Sequence, residues 1–238
     1  LAATALAVLL GIPIGILAAV RRNTLWDTLS MSFSLVGVSM PVFWLGLLLV
    51  YLFAVNLHWL PTGGRLSTDL SIDFQPLTGF LLLDGLLAGK PHVTWDALRH
   101  LVLPAITLGT IPLAIITRIT RSAMLEVLSQ DYIRTARAKG LSESRVLYGH
   151  VFRNAMLIVI AGFPALFIGV FFGGSMIIET IFSLDGLGRL GYEAAIKRNY
   201  PVLFGTLYAF SLLGLLVGIL SDLMYVFVDP RIDFEKRG

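Results

Sequence analysis

The sequence lacks cysteine, and only 14% of its 238 residues are charged. Without a thiol the chain can form no disulfide, no thiolate metal site and no cysteine nucleophile. Its four histidines are scattered and show none of the spacings typical of a zinc site. No phosphate-binding loop of the form G-x-x-x-x-G-K-S/T occurs, and no serine lies in a nucleophile elbow. We therefore expect no cofactor, no metal and no catalytic residue, and any energy source has to come from another polypeptide.

Apolar residues dominate what is present. They make up 56% of the chain, and the mean hydropathy is +0.83. Soluble domains carry about 25% charged residues, so this composition indicates a membrane protein. The net charge is +3 and the pI is near 9.3. Because the cations gather in loops between apolar runs, the basic excess fits the positive-inside rule, and we expect no nucleic-acid partner.

Five apolar runs are long enough, at about 1.5 Å per residue, to cross a hydrocarbon layer about 30 Å thick. The predicted fold class is therefore all-α. We expect one polytopic transmembrane domain over residues 1–238, with five membrane helices in this chain. These spans are predicted at about 1–20, 30–55, 101–117, 155–178 and 201–228.

Arginines at the end of the first run set the orientation. Arg21 and Arg22 follow it directly and place that end in the cytoplasm. The segments 118–153 and 229–238 are then cytoplasmic, and the loops 56–100 and 179–200 are external. Twelve of the 18 lysines and arginines lie on the cytoplasmic side, so the orientation is internally consistent.

The cytoplasmic segment 118–153 holds seven of the 18 basic residues and has the pattern of a helix, a turn and a second helix. Asp131 can act as N-cap for a helix over 132–139. Gly140 is placed to end that helix, because a residue at this position usually needs a positive φ. Leu141 is expected to pack back on the last turn, and Ser142 can cap the second helix.

The second helix of this pair carries an apolar ridge. Leu147 with Val151 and Tyr148 with Phe152 stand four residues apart, while the charged residues face elsewhere. A short helical hairpin with an apolar ridge and a basic rim has the shape of an element that docks into a partner's groove.

The heptapeptide RTARAKG at 134–140 resembles the cytoplasmic EAA loop of binding-protein-dependent ABC importer permeases. The resemblance is greatest to the dipeptide, oligopeptide and nickel branch, in which DYIRTARAKGL is followed by H-x-x-RNA; His150 and the run 153–155 stand at those places. Arg134 replaces the glutamate of many members, and the later I-x-L-P is missing, as is usual in the peptide branch. Similarity extends over nearly the whole chain, at 11–22, 39–44, 103–114, 179–188 and 229–232.

This resemblance implies a pore-forming permease subunit in a bacterial or archaeal inner or plasma membrane, in contact with lipid. It implies a sixth span and an external segment before Leu1, a second similar permease subunit as heterodimer partner, two cytoplasmic ATPase subunits and an external solute-binding protein. Dipeptides, oligopeptides, nickel and haem-like cargo remain open. The segment 131–153 would couple to the ATPase, with small residues allowing close approach and cations pairing with acids of the partner. The implied coupling residues are Arg134, Thr135, Ala136, Arg137, Lys139, Gly140, Leu141, His150 and Arg153.

Two other functions are weighed against the permease. Asp222 is the only acidic residue within a predicted span, and a proton-coupled secondary carrier could use it, although a structural or snorkelling role is favoured. A membrane scaffold that transports nothing is the third hypothesis.

In the external segment, Glu179, Asp185 and Gly186 fit either a docking site or a capped interfacial turn. The prolines and glycines of the spans fit broken helices or ordinary kinks, and both remain open.

Overall fold

The computed structural model describes residues 2–160, 162 and 175–228, and every regular element in this part of the chain is a helix. The predicted all-α class is confirmed. The helices, in chain order, are α1 (Ala2–Val20), α2 (Leu25–Ser39), α3 (Val42–Leu49), α4 (Thr68–Asp73), α5 (Leu81–Leu87), α6 (Pro91–Leu128), α7 (Asp131–Ala138), α8 (Glu143–Val146), α9 (153–160), α10 (Ser175–Ile181), α11 (Leu187–Ile196) and α12 (Tyr200–Val228). Two π-helical segments, Val50–Asn56 and Leu147–Phe152, continue α3 and α8.

Three of the described helices are long and apolar enough to cross a membrane: α1, α6, and α12 over Tyr200–Leu220. A fourth span results if α2 and the α3 segment ending at Asn56 are taken together, although they are bent by 104°. The described residues therefore supply three or four candidate spans. Most of the predicted span 155–178 and the whole tail 229–238 lie outside the described residues.

The bend between α2 and α3 falls at a proline. Pro41 has φ −59° and ψ 129°, so the chain leaves the helical region there, and α3 restarts with Leu45 N–H donating to Pro41 O at 3.1 Å. Proline has no N–H to continue the bonds of α2 and restricts the residue before it. The span predicted over 30–55, with Pro41 inside it, is thus divided at this proline into α2 and α3.

Helix α6 is the longest described element, with 38 residues and a length of about 57 Å. It begins before the predicted span 101–117 and continues eleven residues past it. The first part of the basic segment, 118–128, is therefore the end of this helix and not part of a loop. Helix continuity here follows from good helix formers such as Met124, Leu125 and Glu126.

The chain forms two compact units. The first consists of the described residues within 1–3, 40–109 and 174–208. Its core is centred on Ala54, Leu103, Ile178 and Phe182, and a loop is fastened to it where Gly64 N–H donates to Phe182 O at 2.8 Å.

A buried carboxylate organises the segment 78–84 of the first unit. Asp84 is fully buried and accepts hydrogen bonds from the Thr78 amide at 2.8 Å, the Thr78 hydroxyl at 2.6 Å and the Gly79 amide at 3.0 Å. Burial by itself raises the pKa of Asp84, but these hydrogen bonds to the charged form outweigh it and hold the pKa below its ordinary value.

The second unit consists of the described residues within 4–39, 110–173 and 209–238. Inside it, α1 contacts α6 closely. A Cβ added at Gly15 would lie 2.7 Å from Thr117 O and from Thr120 Cβ, so a larger residue there would push the two helices apart. The core of this unit joins the end of α6 to the segment that follows it, and that junction positions the candidate site.

Candidate functional site

The basic hairpin consists of residues 131–152: α7, a turn at Gly140, and α8 with its π-helical continuation. The turn has the predicted geometry. Gly140 has φ +78°, its N–H donates to Arg137 O at 2.9 Å, and Leu141 N–H reaches back to Ala136 O at 3.4 Å. A side chain at Gly140 would meet no atom within 4 Å, so the backbone conformation and not crowding calls for glycine here.

The prediction that Asp131 caps α7 is wrong. Gln130 occupies the N-cap position, Asp131 is the first helical residue, and its carboxylate accepts a hydrogen bond from Arg134 Nη1 at 3.2 Å. An acid in the first turn still interacts favourably with the helix dipole. Ser142 stands at the N-cap position of α8 as predicted, but its side chain makes no capping hydrogen bond.

The apolar face of the hairpin is buried in the chain's own core. Ile133, Ala136, Val146 and Val151 are at most 8% exposed, and they pack in one cluster with residues of α6 and α9. The residues contributed by those two helices are Ala123, Met124, Val127, Ala155, Met156 and Val159. The buried apolar face of the hairpin therefore faces the chain's own core and fixes the hairpin to α6.

Only part of the predicted ridge belongs to this inner face. Leu147 and Phe152 are half-buried against the cluster, whereas Tyr148 is 62% exposed. The wider winding of Leu147–Phe152 changes which residues share a face, because a π-helical turn holds more residues than the 3.6 of an α-helix. The spacing rule for an α-helix thus failed for Tyr148.

Two polar contacts hold the hairpin in shape. Glu143 at the start of α8 accepts hydrogen bonds from Arg137 of α7, from Nε at 2.8 Å and from Nη2 at 3.3 Å. Asn154 Nδ2 donates to the Tyr132 hydroxyl at 2.8 Å and joins α9 to α7. Sequence reasoning did not single out Tyr132 or Asn154, although Asn154 stands inside the quoted RNA motif.

The outer face of the hairpin and the adjoining first residue of α9 carry exposed basic side chains. Arg134 and Arg137 have acidic partners within the hairpin, at Asp131 and Glu143. The remaining exposed basic side chains pair with no acid in the described part of the chain: Lys139, Arg145, His150 and Arg153. Thr135 is also exposed, and its hydroxyl donates to Asp131 O at 3.1 Å. This arrangement can bind an acidic surface electrostatically, and it contains no nucleophile or acid–base pair.

A further ion pair ties α6 to α2. Arg121 donates from Nε to Asp27 Oδ1 at 2.6 Å and from Nη2 to Asp27 Oδ2 at 2.8 Å. The backbone N–H of Asn23 donates to Asp27 Oδ2 of the same carboxylate at 3.0 Å. The side chain of Asp27 is only 6% exposed and that of Arg121 is 23% exposed. Sequence reasoning missed this pair because the two residues are 94 positions apart.

Within the described residues, no three His, Asp or Glu side chains lie together as a metal site requires. The polar groups of the hairpin are instead spread along one surface.

Comparison with known proteins identifies the family. The profile of the binding-protein-dependent transport system inner membrane component matches residues 11–234. The chain belongs to this family. It is 48% identical over 236 residues to the di/tripeptide transport system permease protein DppB of Pseudomonas aeruginosa, covering 99% of this chain and 69% of that protein. It is 47% identical to the dipeptide transport system permease protein DppB of Escherichia coli, covering 95% and 67% of the two chains.

A third relative has a different named cargo. The peptidoglycan transport system permease protein YejB of Agrobacterium fabrum is 47% identical over 96% of this chain, which spans 59% of that protein. A solved chain of the MetNI methionine ABC transporter in an inward-facing conformation superposes with a TM-score of 0.68 at 18% identity, covering 95% of this chain and 89% of that one. This likeness shows a shared fold. The predicted family, the inner-membrane location and the nature of the chain as a transport component and not an enzyme are confirmed.

Proposed function

We propose that this chain is the permease subunit of an ATP-driven importer and forms part of the translocation pathway for di- or oligopeptides. Relatives at 47–48% identity are named for transport of di/tripeptides and dipeptides, which supports this cargo class. The relative named for peptidoglycan transport also carries a substrate that contains peptide. The observation that carries the mechanism is the buried apolar cluster that the basic hairpin shares with α6.

The proposed topology has five spans in this chain and six in the whole protein, with the hairpin in the cytoplasm. The bent pair α2–α3 forms the second span, and 155–178 forms the fourth. The distribution of cations supports this arrangement, because it places twelve of the 18 on the cytoplasmic side.

The proposed partners are a second, similar permease subunit, two cytoplasmic ATPase subunits and an external solute-binding protein. The family description names dependence on a binding protein. The sequence has no phosphate-binding loop of the common ATPase type, so ATP hydrolysis belongs to a different polypeptide.

In the proposed mechanism the outer face of the hairpin docks on an ATPase. Lys139, Arg145 and Arg153 are exposed and have no acidic partner among the described residues, so they are the cations available to acids of that subunit. His150 is exposed as well and can donate a hydrogen bond to the same subunit. Arg134 and Arg137 shape the same surface but already share their charge with Asp131 and Glu143. Thr135 lies beside them on the exposed side of α7.

A movement of the docked hairpin is transmitted to the membrane helix α6 because the two pack against each other. Ala136 and Leu141 are inner residues of the hairpin, and they pack on the cluster that contains Met124 and Val127 of α6. A close-packed core resists compression, so the hairpin and the end of α6 move together. Closure of the ATPase pair would then displace α6 as a rigid body and switch the pathway between its two orientations.

The Gly140→Val variant tests this mechanism in the assembled transporter. Valine at φ +78° costs on the order of 1–2 kcal/mol in backbone strain, so the turn between the two arms should change shape. We expect dipeptide uptake into proteoliposomes to fall severalfold while ATP hydrolysis continues. Both quantities are measured on the same preparation.

Gly89→Val is the matched control. Gly89 has φ +65° and, like Gly140, would place a Cβ in open space, but it lies outside the hairpin. The strain is therefore comparable, and uptake per ATP hydrolysed should remain near the wild-type value. Unchanged uptake in Gly140→Val, or an equal loss in Gly89→Val, would refute the proposed coupling role of the hairpin.

A further inference from the structure

An apolar groove runs between α1, α2 and α6 within the second unit. It encloses about 290 Å³, and its walls include Leu17 of α1, Trp26, Leu29 and Phe33 of α2, and Leu113 of α6. The two serines of its α2 wall do not offer free hydroxyls. Ser30 donates to Trp26 O at 2.7 Å, and Ser34 donates to Ser30 O at 2.8 Å. The groove therefore presents hydrocarbon to its occupant.

Two arginines stand at one end of this groove. Arg21 follows the wall residue Leu17 by one helical turn, Arg22 is next to it, and both are exposed. No carboxylate in the described part of the chain forms an ion pair with either. The acid nearest in sequence, Asp27, is buried and bound to Arg121 and to the Asn23 amide. The end of the groove thus carries two exposed positive charges, and neither of them is held in an ion pair within the described residues.

We propose that this groove binds an anionic phospholipid, with an acyl chain between α1, α2 and α6 and the phosphate held by Arg21 and Arg22. Charge complementarity selects this occupant. A lipid of this class has an apolar chain, which fits the apolar groove, and an anionic head group, which fits the two arginines at the end of the groove. Trp26 lines the groove and is 55% exposed, and tryptophan is enriched at membrane interfaces, where the head groups lie. Leu29 and Phe33 are more than 60% exposed and continue the groove into the lipid-facing surface.

Photo-crosslinking in lipid nanodiscs tests this site on the assembled transporter. One sample contains phosphatidylglycerol with a diazirine in the acyl chain, and the other contains phosphatidylcholine with the same chain. Mass spectrometry then measures labelling of the groove peptide that contains residues 26–33. A cation near the surface contributes about a fivefold preference for anionic lipid, so two contribute roughly 30-fold. We expect labelling to favour phosphatidylglycerol, and the double variant Arg21→Gln/Arg22→Gln to remove most of that preference.

Lys197→Gln/Arg198→Gln is the charge-matched control, because it also removes two exposed neighbouring cations, of which Lys197 pairs with Glu193, and neither residue lines the groove. It should leave the preference intact. Ser30→Trp is a second variant, which fills the groove while keeping both arginines, and it should reduce labelling of the groove peptide with both lipids and remove the preference for phosphatidylglycerol. Three results would each overturn the proposal. The first is equal labelling by both lipids, and the second is an unchanged preference for phosphatidylglycerol in Arg21→Gln/Arg22→Gln. The third is absence of labelling because a second protein subunit covers the groove.

Discussion

The ion pair between Asp27 and Arg121 offers a quantitative test of the second unit. The carboxylate accepts three hydrogen bonds, of 2.6, 2.8 and 3.0 Å, and all but 6% of its side chain is buried. It also holds the turn before α2, where Asn23 has φ +60°. Asp27→Asn keeps the size of the side chain but removes its charge, and so leaves Arg121 partly buried without a counter-charge.

The expected loss of unfolding free energy in Asp27→Asn follows from how deeply the ion pair is buried. Removing one partner of a buried ion pair costs about 3–5 kcal/mol. The lower end of this range applies here, because the Arg121 side chain is 23% exposed to solvent. We therefore expect Asp27→Asn to reduce the free energy of unfolding by about 3 kcal/mol. Asp131→Asn is the matched control: it also lies in the first turn of a helix beside an arginine, but its side chain is 93% exposed. Its loss should be under about 0.5 kcal/mol.

The assay is denaturant unfolding in mixed micelles, followed by circular dichroism, with the variants compared by linear extrapolation. A double-mutant cycle with Arg121→Gln isolates the pair. If the two groups depend on each other, Asp27→Asn/Arg121→Gln should be less destabilised than the sum of the single variants. A cost for Asp27→Asn no greater than that of Asp131→Asn, or strict additivity in the cycle, would refute the conclusion that this pair fixes α2 to α6.

Two further predictions concern acidic residues elsewhere. Hydrogen bonds lower the pKa of Asp84 below that of an unfolded aspartate, so the stability that its charged form contributes is complete above about pH 4 and is lost as the pH falls through the folded-state pKa. In the wild type, cleavage of the 74–90 segment by pepsin should therefore rise over that acidic range. In Asp84→Ala, cleavage should be high throughout the range. Asp222→Asn should keep the wild-type pH profile of dipeptide uptake, since the exposed Asp222 has no part in an ATP-driven mechanism; loss of pH-dependent uptake in proteoliposomes would favour the proton-coupled carrier instead.

The hairpin shows how far local sequence rules reach. Gly140 was correctly predicted to end α7 with a positive φ, since that requirement depends only on the residue itself. Leu141 packs back as predicted, because it lies one residue beyond that turn. Asp131 was wrongly predicted as the cap, because the choice between Gln130 and Asp131 depends on where α6 ends and how the chain approaches α7.

The direction of the apolar face was the larger error. Periodicity correctly grouped Leu147 with Val151, but it could not say whether this face meets a partner or the chain's own helices. The answer lies in α6, which continues to Leu128 and brings Met124 and Val127 under the hairpin. The sequence pattern had assigned 118–128 to a polar segment, because its arginines mask the apolar stripe on the opposite side of the helix.

The sequence by itself was enough to establish an all-helical membrane transport component and to locate its basic hairpin. The features that determined this were the composition, the spacing of apolar runs, the distribution of arginines and the RTARAKG segment. These features are local or cumulative along the chain, so a linear reading captures them. Tertiary structure alone decided that the apolar face of the hairpin turns inward, that Arg121 meets Asp27, and that α1, α2 and α6 enclose a groove. Each of these depends on residues tens of positions apart coming within a few ångströms, and that proximity arises only when the helices pack.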